Sequence, residues 1–299
     1  MSRGPEEIAP GSTDPPAPSR AIPAGVTDGH HHLWTAGYAW LADPALAPIR
    51  RDYTVDDLLA VLDEAGVDRT VLVEAGREDS AETTEFLRIA ARTPRIAAVV
   101  GWADPLDPRL AATIAAHRAG EGGPKLAGLR SQIQGDPDPD ALRRPPIQAG
   151  LAAIADAGLV FDLVIRADQL PGAIDAAKAL PHARFVLDHL AKPPIRTGVP
   201  PRWHDDLARL AECPNVTAKI SGLVTEADWS AWTPDGIAPV VQAALGAFGS
   251  DRLMWGSDWP VVELAGGYRR WLDTARSLVP AAVHPAVFGG TAARIYGLD

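Results

Sequence analysis

Eight short β-branched runs alternate with Ala- and Leu-rich stretches along this chain, and that alternation limits the fold more than any other feature. The runs cover residues 25–28, 70–74, 96–101, 126–130, 160–165, 184–187, 216–220 and 253–256. The segments between them space apolar residues at the helical period; 55–62, 148–157 and 239–248 are examples. Thr54 is a good N-cap with Asp57 three residues on, and Gly66 a good C-cap. Strand–helix units repeated eight times predict an α/β chain folded as one (β/α)8 TIM-type barrel, for which ~250 residues is typical. An open doubly wound sheet would need a Gly-rich phosphate loop early in the chain, and none is present.

The barrel is expected to span residues 25–299. Residues 1–24 are rich in Pro, Ser, Gly and charge. They cannot bury enough apolar surface to offset ordering entropy, so a disordered or loosely draped tail is expected. A net charge of −10 argues against nucleic acid or an anionic membrane surface as partner. No apolar run approaches the ~20 residues of a membrane span, and the N-terminus lacks the apolar core of a signal peptide. The single cysteine, Cys213, excludes an intramolecular disulfide and fits a reducing compartment. The expectation is a cytoplasmic protein with a small-molecule substrate; oligomeric state stays open.

His30 and His32 stand two residues apart at the end of the first run. A strand has a side-chain period of two, so both imidazoles leave one face. His189 ends the sixth run and Asp258 follows the eighth. In a closed barrel the first and eighth strands are neighbours, and the carboxyl ends of all strands share one rim. Three imidazoles and a carboxylate there suit one divalent ion of the zinc type. They equally suit metal-free acid–base work, with Asp258 activating water and imidazolium stabilising an oxyanion.

Taken together, several segments resemble the amidohydrolase superfamily (amidohydrolase family 2), and within it the sugar-lactonase branch that includes L-fuconolactonases, L-rhamnonolactonases and 2-pyrone-4,6-dicarboxylate lactonases. They are Asp28-Gly29-His30-His31-His32-Leu33-Trp34, Val100-Gly101-Trp102-Ala103-Asp104, Gly128-Leu129-Arg130-Ser131, Asp188-His189-Leu190-Ala191-Lys192-Pro193-Pro194, Lys219-Ile220-Ser221-Gly222, Gly256-Ser257-Asp258-Trp259-Pro260 and Phe288-Gly289-Gly290-Thr291. The resemblance implies hydrolysis of a ring ester, with Asp258 taking a proton from water. It implies that His30, His32, His189 and Asp258 hold a divalent metal in many members, while several members of the branch work without one. Binuclear members carry a Lys ending the fourth strand and a His ending the fifth; here those strands end in Arg130-Ser131 and in Ile165-Arg166, so a two-metal site is not expected. Branch members often have His at Ser131, Gln at Glu74 and Asn at Thr291. Ser131 removes a donor or base from the substrate rim, and Glu74 adds a negative charge there.

The remaining candidates are substrate contacts. Arg130 could hold a carboxylate or hydroxyls by its fork geometry. Trp34, Trp102 and Trp259 follow or end strands, and their faces suit sugar C–H surfaces. Gln132 and Gln134 fall on one loop. Asp104 either bonds a sugar hydroxyl or caps the next helix. Asp162 reads as structural. Lys192 precedes a rigid Pro pair and could point at the pocket. Lys219 is odd in a buried strand and needs a partner. The expected activity is opening of a small lactone, a sugar-acid (aldono) lactone in particular, as part of carbohydrate catabolism. The alternatives are a metal-dependent decarboxylase of the same superfamily and a non-catalytic small-ligand-binding barrel.

Overall fold

The computed structural model describes residues 25–298, so the expected tail at 1–24 lies outside the described residues. Eight parallel strands run in sequence order: β1 (Thr27–His31), β2 (Arg69–Val73), β3 (Ile96–Trp102), β4 (Leu126–Ser131), β5 (Val160–Leu163), β6 (Arg184–Leu187), β7 (Val216–Ile220) and β8 (Leu253–Trp255). Between them lie α1 (Val55–Ala65), α2 (Ser80–Arg92), α3 (Leu110–Ala119), α4 (Pro145–Asp156), α5 (Leu170–Ala179), α6 (Pro201–Ala211), α7 (Pro234–Phe248) and α8 (Tyr268–Leu278), with α9 (Thr291–Tyr296) after them. This is the (β/α)8 barrel that the alternation predicts. No described helix is long and apolar enough to cross a membrane.

Local signals behave as their chemistry requires. Thr54 and Asp57 form a reciprocal capping box on α1, and Gly66 ends it in the left-handed conformation. α7 starts at Pro234 behind the Thr233 cap, five residues before the expected start at 239. Proline at the first helical position loses no hydrogen bond.

β8 is only three residues long, and the segment after it closes the barrel. Asp258 N donates to His30 O at 2.8 Å, and His32 N donates to Trp259 O at 2.7 Å. Below them, Ser257 N and Oγ donate to the buried Asp28 carboxylate at 2.8 and 2.6 Å. The first strand therefore runs later than 25–28: its histidines are part of the ladder.

Strand alternation divides the apolar residues. Leu72, Val99, Leu129, Phe161, Phe185, Ile220 and Trp255 face the helices in one large core. Val71, Val73, Val100, Val160, Val186 and Met254 form a separate cluster with Ala292, Ala293, Tyr296 and Leu298. That second cluster fills the barrel's interior, and α9 plugs its amino-terminal end. Thr291 starts α9, with its hydroxyl 3.4 Å from the carbonyls of Ser250 and Asp251, far from the opposite rim.

Candidate active site

The carboxyl-terminal rim brings His30, His32, His189 and Asp258 together. His32 Nδ1 donates to Val73 O at 3.0 Å, so its Nε2 carries a lone pair. That nitrogen lies 3.1 Å from His30 Nε2 and 3.4 Å from Asp258 Oδ1. His30 and His189 place their Nε2 atoms 3.7 and 3.9 Å from the same oxygen. Burial opposes ionisation of Asp258, but the three imidazoles outweigh it and hold its carboxyl below the usual carboxylate range. Burial pushes His189 down to about 4, so its ring is neutral at pH 7.

Two backbone irregularities aim these groups. Residues 189–192 all lie in the left-handed region, with φ of 52, 51, 60 and 50°. That conformation disfavours L-residues by roughly 1–2 kcal/mol each. Complete burial of Leu190 and Ala191 helps offset the strain, and His189 Nδ1 is fixed 2.9 Å from Ser221 Oγ. Asp258 is left-handed too, at φ 56°. Strain of this kind gathers where function over-determines the backbone. Gly222 makes room for the pair: it sits at φ +61°, and a Cβ there would stand 2.5 Å from His189 Nδ1 and 3.1 Å from Asp258 Oδ2. Gly222→Ala is therefore expected to displace His189 and cut turnover by roughly a hundredfold or more, with the barrel's circular dichroism unchanged. Full activity in that variant would mean His189 has no fixed role.

A buried ionic network supports the rim. Arg130 Nε and Nη2 donate to Glu74 Oε1 and Glu74 O, both at 2.6 Å, and Nη1 donates to Asp188 Oδ2 at 2.9 Å. Lys219 Nζ donates to Asp162 Oδ2 at 2.6 Å and lies 3.0 Å from both Asp188 Oδ1 and His30 Nδ1. Tyr296 reaches up from α9 and its hydroxyl lies 2.8 Å from Asp162 Oδ2. Burial raises Asp162 to about 6; it also opposes ionisation of Asp188, but Lys219, His30 and Arg130 hold that group well below its ordinary value.

A cavity of about 430 Å³ opens above this floor. His32, His189, Asp258, Arg130, Gln132, Gln134 and Lys192 border it, as the sequence leads one to expect. Other expected contacts lie elsewhere. Trp34 is buried and donates to Ile49 O at 3.3 Å; Trp259 is buried with its ring 5.2 Å from that of Tyr53. Trp102 ends β3 beside Thr83, and Asp104 accepts from Leu106 N at 2.8 Å within the turn after β3, while α3 begins behind Arg109 with no side-chain cap, so Asp104 does not cap it. None of these four borders the cavity. Nor does Ser131. Arg130 is not a free fork for a substrate carboxylate, because Glu74 and Asp188 already take its donors. Glu74 adds no charge to the rim: it is buried and paired, and it also accepts from Gln132 Nε2 at 2.6 Å. The aromatic walls are Trp40 and Trp229 instead. Their indole N–H groups donate to Ala75 O and Thr225 O, both at 2.8 Å, which fixes the rings.

Behind the Trp40 wall, buried Glu82 accepts from Tyr38 Oη at 2.7 Å and from Ala75 N at 3.2 Å, while its other oxygen has no partner. Burial and the nearby Glu74 charge raise it to about 7. The folded state thus holds this proton more tightly than the unfolded chain, and stability falls as pH rises from the ordinary value of 4.5 through 7. Glu82→Gln removes the charge. Its stability relative to wild type, followed by thermal melts at each pH, should climb between pH 5 and pH 8.5, by an amount on the order of 3 kcal/mol at most. A difference independent of pH would show that Glu82 does not titrate there.

The donor set fits one divalent ion. Ligand atoms of His30, His189 and Asp258 lie within 4.8 Å of one another. Two nitrogens on a tetrahedral zinc sit about 3.3 Å apart, close to the 3.1 Å between His30 and His32. A second grouping, His30 with Asp162 and Asp188, is filled by the Lys219 ammonium.

The chain is 37% identical over 285 residues to an L-fucono-1,5-lactonase of Burkholderia ambifaria, covering 91% of this chain and 95% of that one. It is 38% identical over 293 residues to an L-fucono-1,5-lactonase of Burkholderia multivorans, with the same coverage. A crystal structure of an amidohydrolase from Burkholderia multivorans with bound zinc superposes with a TM-score of 0.86 at 35% identity, covering 92% of this chain and all of that one. The amidohydrolase family profile matches residues 27–298, and the chain belongs to that family.

Proposed function

We propose that this hydrolase opens a small sugar-acid lactone, with a 6-deoxyaldonolactone such as L-fuconolactone as the first candidate. The observation that carries the reading is the convergence of three imidazole Nε2 atoms on Asp258 Oδ1, at the floor of a cavity with two fixed indole walls. The similarity to L-fucono-1,5-lactonases supports the substrate class. Indole faces suit the C–H surface of a sugar ring, and the apolar flank of Leu46, Val261 and Leu264 suits a deoxy carbon.

In this mechanism Asp258 orients a water and accepts its proton as the oxygen bonds to the ring carbonyl. The ring imidazoles face the developing oxyanion. The carbonyl carbon–ring oxygen bond then breaks, and the proton passes from Asp258 to the leaving alkoxide, giving a hydroxy acid. The residues that would hold a metal are His30, His32, His189 and Asp258, with zinc the best match, and a bound ion supplies Lewis-acid polarisation of the carbonyl. Gln132 and Gln134, hydrogen-bonded to each other at 2.9 Å, present amides to the sugar hydroxyls.

Hydrolysis in oxygen-18 water tests the reaction class. One labelled oxygen should enter the product carboxylate, with no carbon dioxide released. Carbon dioxide from an aromatic acid, with no label uptake from lactones, would favour the decarboxylase instead. Trp229→Ala should raise KM about tenfold and leave kcat within threefold, because a stacking wall binds ground and transition states alike. An unchanged KM would remove Trp229 from the binding site.

A further inference from the structure

We propose that Lys219 is a positioning residue: its ammonium keeps the ring hydrogen of His30 on Nε2 and thereby weakens the hold of the rim on a divalent ion. Lys219 acts this way whichever ester fills the cavity.

His30 is completely buried and has a donor and an acceptor near each nitrogen. Nδ1 lies 3.0 Å from Lys219 Nζ, which only donates, and 3.3 Å from Asp188 Oδ1, which only accepts. Nε2 lies 3.1 Å from His32 Nε2, 3.4 Å from Arg130 Nη1 and 3.7 Å from Asp258 Oδ1. Val73 O can only accept, so the hydrogen of His32 sits on Nδ1 and its Nε2 is a lone pair. Two assignments of His30 remain.

With the hydrogen on Nε2, a single donor direction runs through the floor: Lys219 to His30, His30 to His32, His32 to Val73. Its two contacts at His30 are 3.0 and 3.1 Å. With the hydrogen on Nδ1, the contacts lengthen to 3.3 Å at Asp188 and 3.4 Å at Arg130, and the Lys219 ammonium would face an N–H at 3.0 Å. Asp188 Oδ1, the acceptor that this second assignment would use, already has the Lys219 ammonium 3.0 Å away, nearer than His30 Nδ1 at 3.3 Å. The geometry therefore favours hydrogen on Nε2.

A histidine that holds a metal through Nε2 must carry its hydrogen on the other nitrogen, usually toward a carboxylate. For His30 that is the Asp188 arrangement. Lys219 stands against it, anchored by Asp162 at 2.6 Å and, through Asp162, by Tyr296 of α9. The plug under the barrel thus reaches the rim in three steps.

The test is nitrogen-15 NMR of the full-length, chelator-treated protein, with His30 signals identified by their loss in His30→Gln. Wild type should show a protonated Nε2 and a bare Nδ1. In Lys219→Met the hydrogen should move to Nδ1, and calorimetric titration should show zinc binding about tenfold tighter or more. A purely structural lysine would leave the tautomer unmoved, even if loss of its nearby positive charge tightened zinc by itself. Either that outcome or a protonated Nδ1 in wild type overturns the proposal. If Lys219→Met does not fold, Lys219→Met/Asp162→Asn removes the stranded charge, and the wild-type spectrum decides by itself.

Discussion

Asp258→Asn should lower kcat at least about a thousandfold, within the range that general acid–base catalysis supplies, and leave the barrel folded. Asparagine keeps the size of the side chain and tolerates the left-handed φ of 56° at this position. The closing ladder survives, because it uses the backbone N–H of Asp258 and not its side chain. What is lost is the carboxylate on which three imidazoles converge, and with it the atom that takes the proton from water. The measurement is steady-state turnover beside a thermal melt. Activity within tenfold of wild type would place proton transfer elsewhere.

Arg130→Met should cost about 3–5 kcal/mol of stability, the usual penalty for stranding a buried charge. Glu74 and Asp188 are both fully buried, and Arg130 donates to both. Methionine fills similar space but leaves Glu74 without its cation and Asp188 with one of its two. Asp188 keeps Lys219 at 3.0 Å, so the larger share of the loss falls on Glu74. Adding Glu74→Gln should therefore restore part of the stability, roughly 1–2 kcal/mol, through the pairwise coupling that a double-mutant cycle measures. Urea unfolding of the two single variants and the double variant gives the cycle. A single Arg130→Met variant within 1 kcal/mol of wild type, or strict additivity, would show that the network carries little energy.

Much of this arrangement was legible in the sequence because a barrel turns one-dimensional order into a shared rim. Residues that end the first, sixth and eighth strands meet there whatever the helices do, so His30, His32, His189 and Asp258 could be grouped before any coordinates. Side-chain parity also carries information that reading strand ends alone misses. Asp162 falls between Phe161 and Leu163, and Lys219 between Ala218 and Ile220, whose apolar side chains face the helices. Both charged groups must then point into the barrel, where each needs the other. Arg130 follows outward-facing Leu129 and obeys the same rule, which explains why it serves buried carboxylates before any substrate. The expected tryptophans sit away from the cavity for a different reason. Trp34, Trp102 and Trp259 lie next to strand ends in the chain, but the course of each loop decides where a ring goes, and these turn into packing. Trp40 arrives from a single 3-10 turn, Ala39–Ala42, and Trp229 from a loop beyond Glu226, both too short to show a periodicity. The run of left-handed residues at 189–192 was equally hidden, since no glycine marks it.

The most direct test of the central claim is acid release from a panel of aldonolactones, fucono-, rhamnono-, galactono- and xylonolactone, followed with a pH indicator in weak buffer. Spontaneous hydrolysis is subtracted, and folded protein is assayed after chelation and again with added zinc. Turnover of at least one member is expected, fastest for a 6-deoxy sugar whose methyl group meets the apolar flank, and abolished in Asp258→Asn. Silence of the folded protein on every lactone, with and without zinc, would contradict it.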